Sequence, residues 1–226
     1  MLGNILITGG ASGLGLATAR AVVKAGGRPL VIDRAAPEDD LDHVRADLAD
    51  SRATGDAVRT LAERAGGIDG VFTAAGTDAC GALGDVPLDE WERVVRVNLF
   101  GTAAVVRAAL PSLLESGGRV VTCASTLGIK AVGDATAYCA SKFGVVGFTR
   151  ALAAELAGKV GVTLLIPGGM STHFFDGRPD QYKPGPDAPL NRAEDVAETV
   201  VFALSQPAGC EIRELVVCHS METSWP

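Results

Sequence analysis

Tyr138-Cys139-Ala140-Ser141-Lys142 sets a phenol and an ammonium four residues apart, a spacing that on a helix puts both on one face. A lysine cation held there favours the phenolate and draws the phenol's pKa from about 10 toward working pH, as a general acid/base requires. By spacing alone the pair is also the pattern of a plain amphipathic helix face. Ser125 adds a hydroxyl upstream, just beyond the strand expected at Arg119–Thr122. It therefore falls at the carboxyl edge of the sheet that this strand would join, where open α/β folds bind ligands.

Thr8-Gly9-Gly10-Ala11-Ser12-Gly13-Leu14-Gly15 offers a second chemistry. It separates the β-branched run Ile5-Leu6-Ile7 from Leu14 to Ala25, whose apolar residues recur at helical spacing, so it reads as a strand-to-helix turn. Backbone N–H groups and the helix N-terminus in such a turn can receive a pyrophosphate. Gly9, Gly13 and Gly15 leave the approach open, with Ser12 and Leu14 in the same cradle. Asp33, at the end of the second strand, can accept both ribose hydroxyls of NAD and repel the 2′-phosphate of NADP. Arg34 works the other way, since a guanidinium pairs with phosphate. The balance favours NAD, with NADP the lesser expectation.

The elements that must position these groups alternate regularly. Strands are expected at Ile5–Ile7, Pro29–Ile32, His43–Ala46, Gly70–Thr73, Arg119–Thr122, Val162–Ile166 and Glu214–Val217. Helices are expected at Leu14–Ala25, Ser51–Ala65, Trp91–Asn98, Leu99–Leu114, Ala137–Leu156 and Ala193–Leu204. Repeated strand-helix units of this length predict an α/β fold with a parallel sheet covered on both faces. The 226 residues and 47% hydrophobic content exclude disorder, and one domain over residues 1–226 accounts for the length. A net charge of −7 without a basic cluster argues against nucleic acid. Cys80, Cys123, Cys139, Cys210 and Cys218 have no zinc-type spacing and read as reduced packing residues of a cytoplasmic protein, with no metal expected. The N-terminus lacks a basic leader region, and no 18 uninterrupted apolar residues offer a membrane span.

These motifs, in this order, make the chain similar to the short-chain dehydrogenase/reductase family, in its compact one-domain branch. Thr8 to Gly15 matches the family's Thr-Gly-x-x-x-Gly-x-Gly. Further matches are Asp47-Leu48, Ala75-Gly76 after the fourth strand, Asn98-Leu99-Phe100-Gly101, Ser125, Tyr138 with Lys142, and Pro167-Gly168 with Thr172. The resemblance covers essentially the whole chain and implies a Rossmann-type, doubly wound sheet of about seven strands. It implies that a hydride moves between a nicotinamide and a substrate carbon while Tyr138 passes a proton to or from the substrate oxygen. Ser125 would hydrogen-bond that oxygen, Lys142 would hold the nicotinamide ribose, and Asn98 would complete a proton relay through water. Asn98 has the alternative of a helix-kinking residue that bonds only backbone. Asp47 and Leu48 would line the adenine pocket, and Ala74, Ala75, Gly76, Pro167, Gly168, Met170 and Thr172 would complete the cofactor site. Two departures stand out. Thr73-Ala74-Ala75-Gly76 replaces the usual Asn-Asn-Ala-Gly, and Cys218-His219-Ser220 follows the last strand where the family has Asp-Gly-Gly.

The Pro/Gly-rich segment at about 168–192 takes the place of a substrate loop, with Met170, Phe174 and Phe175 able either to cover an apolar substrate or to pack on their own domain. His173 there reads as a solvated loop residue more readily than a ligand. The short loop suggests a small alcohol or carbonyl substrate. Trp91 and Trp225 are candidate interface anchors, and the alanine-rich helices Leu99–Leu114 and Ala137–Leu156 predict a homodimer or homotetramer. Two rival readings stay open: a non-catalytic dinucleotide-binding regulator of the same fold, and a lyase or epimerase that retains its NAD.

Overall fold

The computed structural model describes residues 2–225; Met1, where the leader reading begins, and Pro226, which ends the C-terminal tail, lie outside them. In chain order the elements are β1 (Asn4–Thr8), α1 (Gly13–Lys24), β2 (Arg28–Asp33), β3 (Asp42–Arg45), α2 (Ser51–Ala65) and β4 (Gly70–Thr73). There follow α3 (Leu88–Val95), α4 (Thr102–Ser116), β5 (Arg119–Cys123), α5 (Thr136–Glu155) and β6 (Gly161–Pro167). The short pair β7 (Met170–Ser171) and β8 (Asn191–Arg192), then α6 (Ala193–Leu204) and β9 (Glu214–Val217), complete the order.

Seven strands form one parallel sheet in the order β3-β2-β1-β4-β5-β6-β9. The order reverses direction between β1 and β4, and in such sheets the crevice at the strands' carboxyl ends is where ligands bind. Strand alternation divides the core. Leu6 turns to the face covered by α2 and α4, whereas Ile5 and Ile7 turn to the face covered by α1 and α6. All three are at most 2% exposed, as expected of a strand buried on both faces. At the start of α2 the Asp50 side chain accepts from Arg52 N and Ala53 N, so that helix is capped.

The helices expected at Trp91–Asn98 and Leu99–Leu114 are one continuous helix, Leu88–Ser116, wound as a π-helix over Arg96–Gly101. Length and composition alone would let this helix cross a membrane, but its apolar face, Val105, Val106, Ala109 and Leu113, is spent in the core beneath the sheet. Trp91, half-buried, donates from Nε1 to Thr136 Oγ1 at 3.0 Å and so is anchored within its own chain. The Pro/Gly-rich segment expected to take the place of a substrate loop is joined to itself by the β7–β8 pairing of Met170 with Asn191.

Candidate functional site

The glycine turn lies at the end of β1, where close approach forces the residue choice. Gly9 has φ +71°, and a β-carbon there would meet Ala75 backbone atoms at 2.9 Å. A β-carbon on Gly15 would lie 2.1 Å from Gly9 O, so the first turn of α1 rests on the turn before it. Ser12 precedes α1 without a side-chain cap bond, and no acid occupies the first turn, which leaves the helix N-terminus and its N–H groups open to an anion. Asp33 Oδ2 accepts from Ala11 N and Oδ1 from Ala35 N, both at 3.0 Å, fixing the carboxylate beside the turn. This cradle fits a dinucleotide: room for a pyrophosphate, free donors, and an acid one strand away.

Asp47 follows β3. Burial opposes its ionisation, but the Ala49 N–H and the Arg93 guanidinium at 3.0 Å outweigh burial and hold its carboxyl below the usual range. Arg93 on α3 is a member of the site that spacing did not single out. Ala74, Ala75 and Gly76 continue β4, with Ala75 N donating to Thr8 Oγ1 at 3.2 Å. On the far side, Thr172 closes over the turn: a β-carbon on Gly13 would touch Thr172 Cβ at 3.5 Å.

Ser125 follows β5, its Oγ accepting from Leu127 N at 3.1 Å. Tyr138 and Lys142 lie in the first two turns of α5, with Nζ 5.6 Å from the phenol ring centroid. Lys142 Nζ donates to Cys123 O at 2.8 Å. The expected lowering of the Tyr138 pKa by Lys142 does not hold here. Burial pushes the phenol above its ordinary range, with the Ser125 hydroxyl acting the opposite way, and burial likewise lowers the Lys142 ammonium. Desolvation penalises both charged forms and is the largest influence on each.

Asn98 stands apart. Its Nδ2 donates to Thr77 O at 2.9 Å and Ser141 Oγ at 3.0 Å, and its Oδ1 accepts from Thr77 N at 2.8 Å. It lies within the π segment, binding the loop after β4 to α5, and it is the one candidate residue that does not line the cleft. The others, from Gly9, Asp33 and Leu48 to Ser125, Tyr138, Pro167, Gly168 and Met170, share a single cleft of about 1070 Å³. A β-carbon on Gly76 would lie 3.5 Å from Asn98 Oδ1 and 3.7 Å from Lys142 Nζ, so Asn98 reaches the site only behind that glycine.

Sequence spacing gave no signal for the ion pair between Arg178 and Asp78, 2.7 Å apart with side chains 17% and 5% exposed. Arg178 also stacks on Phe174 and Phe175, at 5.1 Å and 4.6 Å from their centroids, and Phe174 lies 5.8 Å from the Tyr138 ring. The loop is thereby closed onto the segment after β4. His173 is exposed and bonds Asp176 at 2.8 Å, in keeping with a solvated loop residue.

Residues 3–183 match the family model for short chain dehydrogenase. The chain is 35% identical over 217 residues to 2-dehydro-3-deoxy-L-rhamnonate dehydrogenase (NAD(+)) of Sphingomonas sp. strain SKA58, covering 89% of this chain and 87% of that protein. It is 32% identical over 199 residues to D-beta-hydroxybutyrate dehydrogenase of Rhizobium meliloti strain 1021, covering 80% and 77%. A single-residue variant of actinorhodin polyketide ketoreductase, solved with NADPH, superposes with a TM-score of 0.86 at 30% identity over 98% of both chains. The glycine turn, the cleft at the strand ends and the match over most of the chain converge: this protein belongs to the short-chain dehydrogenase family of oxidoreductases.

Proposed function

We propose that the chain, as one domain over residues 1–226, is an NAD(P)-dependent dehydrogenase or reductase that prefers NAD and interconverts a small secondary alcohol and its ketone. The observation that carries this reading is the sharing of one cleft by the glycine turn with Asp33 and by Ser125, Tyr138 and Lys142. A bound nicotinamide supplies hydride chemistry. The chain's own residues do the rest.

Ser125 Oγ–H donates to the substrate oxygen and stabilises charge developing there. Tyr138 Oη gives its proton to that oxygen in reduction and takes it back in oxidation. Burial favours the protonated form of Tyr138, so the phenol is poised as the acid. Lys142, fixed on Cys123 O, holds the ribose and limits the charge that Tyr138 must carry alone. Asn98 supports a relay of protons from behind Gly76 by fixing Thr77 and Ser141. Asp33 takes the adenosine ribose hydroxyls, Asp47 and Leu48 flank the adenine, and Pro167, Gly168, Met170 and Thr172 border the nicotinamide.

The NAD preference rests on Asp33, whose charge repels a 2′-phosphate; Arg34 lines the same cleft and is the residue that opposes it. One relative is named for NAD(+) and another was solved with NADPH, so the family accommodates both. Two relatives named for hydroxy- or keto-acid chemistry support a short oxygenated substrate. Exposed Phe100, Leu114 and Phe143 near α4 and α5 support assembly into a homodimer or homotetramer, and the free thiols support a cytoplasmic setting. Titration with NADH and NADPH side by side tests the core of the proposal. NADH binding at least tenfold tighter is expected, and binding of neither overturns the reading.

A further inference from the structure

The C-terminal tail, which departs from the family's usual sequence, folds back over the carboxyl end of β6. Glu222 Oε2 accepts from Gly169 N at 3.0 Å, and Oε1 accepts from Ser224 N at 3.0 Å and Ser224 Oγ at 2.8 Å. Contact with the strand-end loop is tight: a β-carbon on Gly168 would come within 2.6 Å of Oε2. The tail is held from the other side as well. Ser224 Oγ shares a 2.6 Å hydrogen bond with Thr126 Oγ1, next to Ser125, and Lys130 Nζ donates to Thr223 O at 3.0 Å. Glu222, Thr223 and Ser224 consequently form part of the cleft wall.

All the donors to Glu222 named here are neutral dipoles, and among the described residues no cation forms an ion pair with it. The backbone and hydroxyl donors favour the ionised carboxylate but do not cancel its charge for a ligand in the cleft. Gly168 and Met170, on either side of its Gly169 contact, are the residues that the proposed function puts beside the nicotinamide. An oxidised nicotinamide carries one more positive charge than the reduced ring. We infer that Glu222 pins the Gly168–Gly169 backbone and holds a negative charge at the nicotinamide end, so that the cleft favours the oxidised over the reduced dinucleotide. The inference rests on the dinucleotide-binding reading. Lys142 contributes an opposing charge, but it is unchanged in any Glu222 variant, so a change in the ratio of affinities reports Glu222 alone.

The test measures dissociation constants for NAD⁺ and NADH, by calorimetry and nicotinamide fluorescence, in the unaltered chain, E222Q and S224A. Across a partly solvated cleft, loss of one charge should weaken the oxidised form about fivefold relative to the reduced form in E222Q. S224A removes a donor but keeps the charge, and its ratio should stay within twofold of the original. An unchanged ratio in E222Q, or equal weakening of both forms, overturns the inference and leaves dinucleotide binding intact. Failure of the unaltered chain to bind NAD⁺, NADH or their phosphorylated counterparts overturns the function and this inference together.

Discussion

At the glycine-turn end of the cleft the shape is set by backbone: Gly9 against Ala75, Gly15 against Gly9 O, and Asp33 on the main-chain N–H groups of Ala11, in the turn, and Ala35, two residues after the acid. At the Tyr138 end the walls are set by side chains reaching between distant segments. Arg178 reaches back 100 residues to Asp78, and Ser224 reaches back 98 residues to Thr126. The first end follows from close approach of backbone, within the turn and across to the neighbouring strand ends. The second depends on a folded chain bringing partners together, and so it can diverge without disturbing the sheet. On the proposed function, cofactor binding and substrate choice are in this sense separable properties of one cleft.

Substitutions can break that separation or sharpen it. Tyr138→Phe should lower turnover by about 10²–10⁴-fold while leaving the cofactor dissociation constant within twofold; loss of binding instead would mean that the two ends are not separable. Arg178→Leu leaves Asp78 buried without its counter-ion and should cost about 3 kcal/mol in urea unfolding. The double variant with Asp78→Asn should recover part of that loss, and both should bind NADH as before. Asp33→Ala should reduce the NADH-over-NADPH preference by about tenfold with no change in the reaction's dependence on Tyr138, measured as paired titrations.

The smallest effect concerns pH. Burial raises the Glu222 pKa, but the Gly169 and Ser224 donors outweigh it and hold the group below its ordinary 4.5. A carboxyl depressed on folding adds stability that is complete above that ordinary value and is lost as pH falls through the folded one. The Tm difference between the unaltered chain and E222Q should therefore be constant from neutrality to about pH 5 and shrink below it; a difference independent of pH down to acid unfolding would refute the assignment.

The glycine-turn end of the cleft was largely legible in the sequence because its residue choices lie in one short motif and at a strand end. Thr8 to Gly15, Asp33 and the strand-helix rhythm act over short spans, and the seven strands lie where alternation and apolar runs put them. The pairing of Tyr138 with Lys142 on one helix face was legible for the same reason, but the direction of the Tyr138 shift was not, since burial is a property of the assembled core. Arg178, Arg93 and Glu222 gave no spacing signal, because each acts on a partner brought near only by the fold. The break expected between Asn98 and Leu99 is absent, since the buried amide is satisfied by Thr77 and Ser141, partners that only the fold supplies, and the helix runs on through it.

That helix has a mechanical consequence. Over Arg96–Gly101 the wider winding departs from the regular i→i−4 ladder. On one side, α3 buries only Val94 and presents Glu90 and Arg93 to the cleft; on the other, α4 is sunk in the core through Val105, Val106, Ala109 and Leu113. The π segment thus marks the boundary between an exposed and a buried stretch of one helix. Amide exchange should reveal α3 as a separate, faster-opening unit, able to flex at the mouth of the cleft while the core helix behind it stays closed.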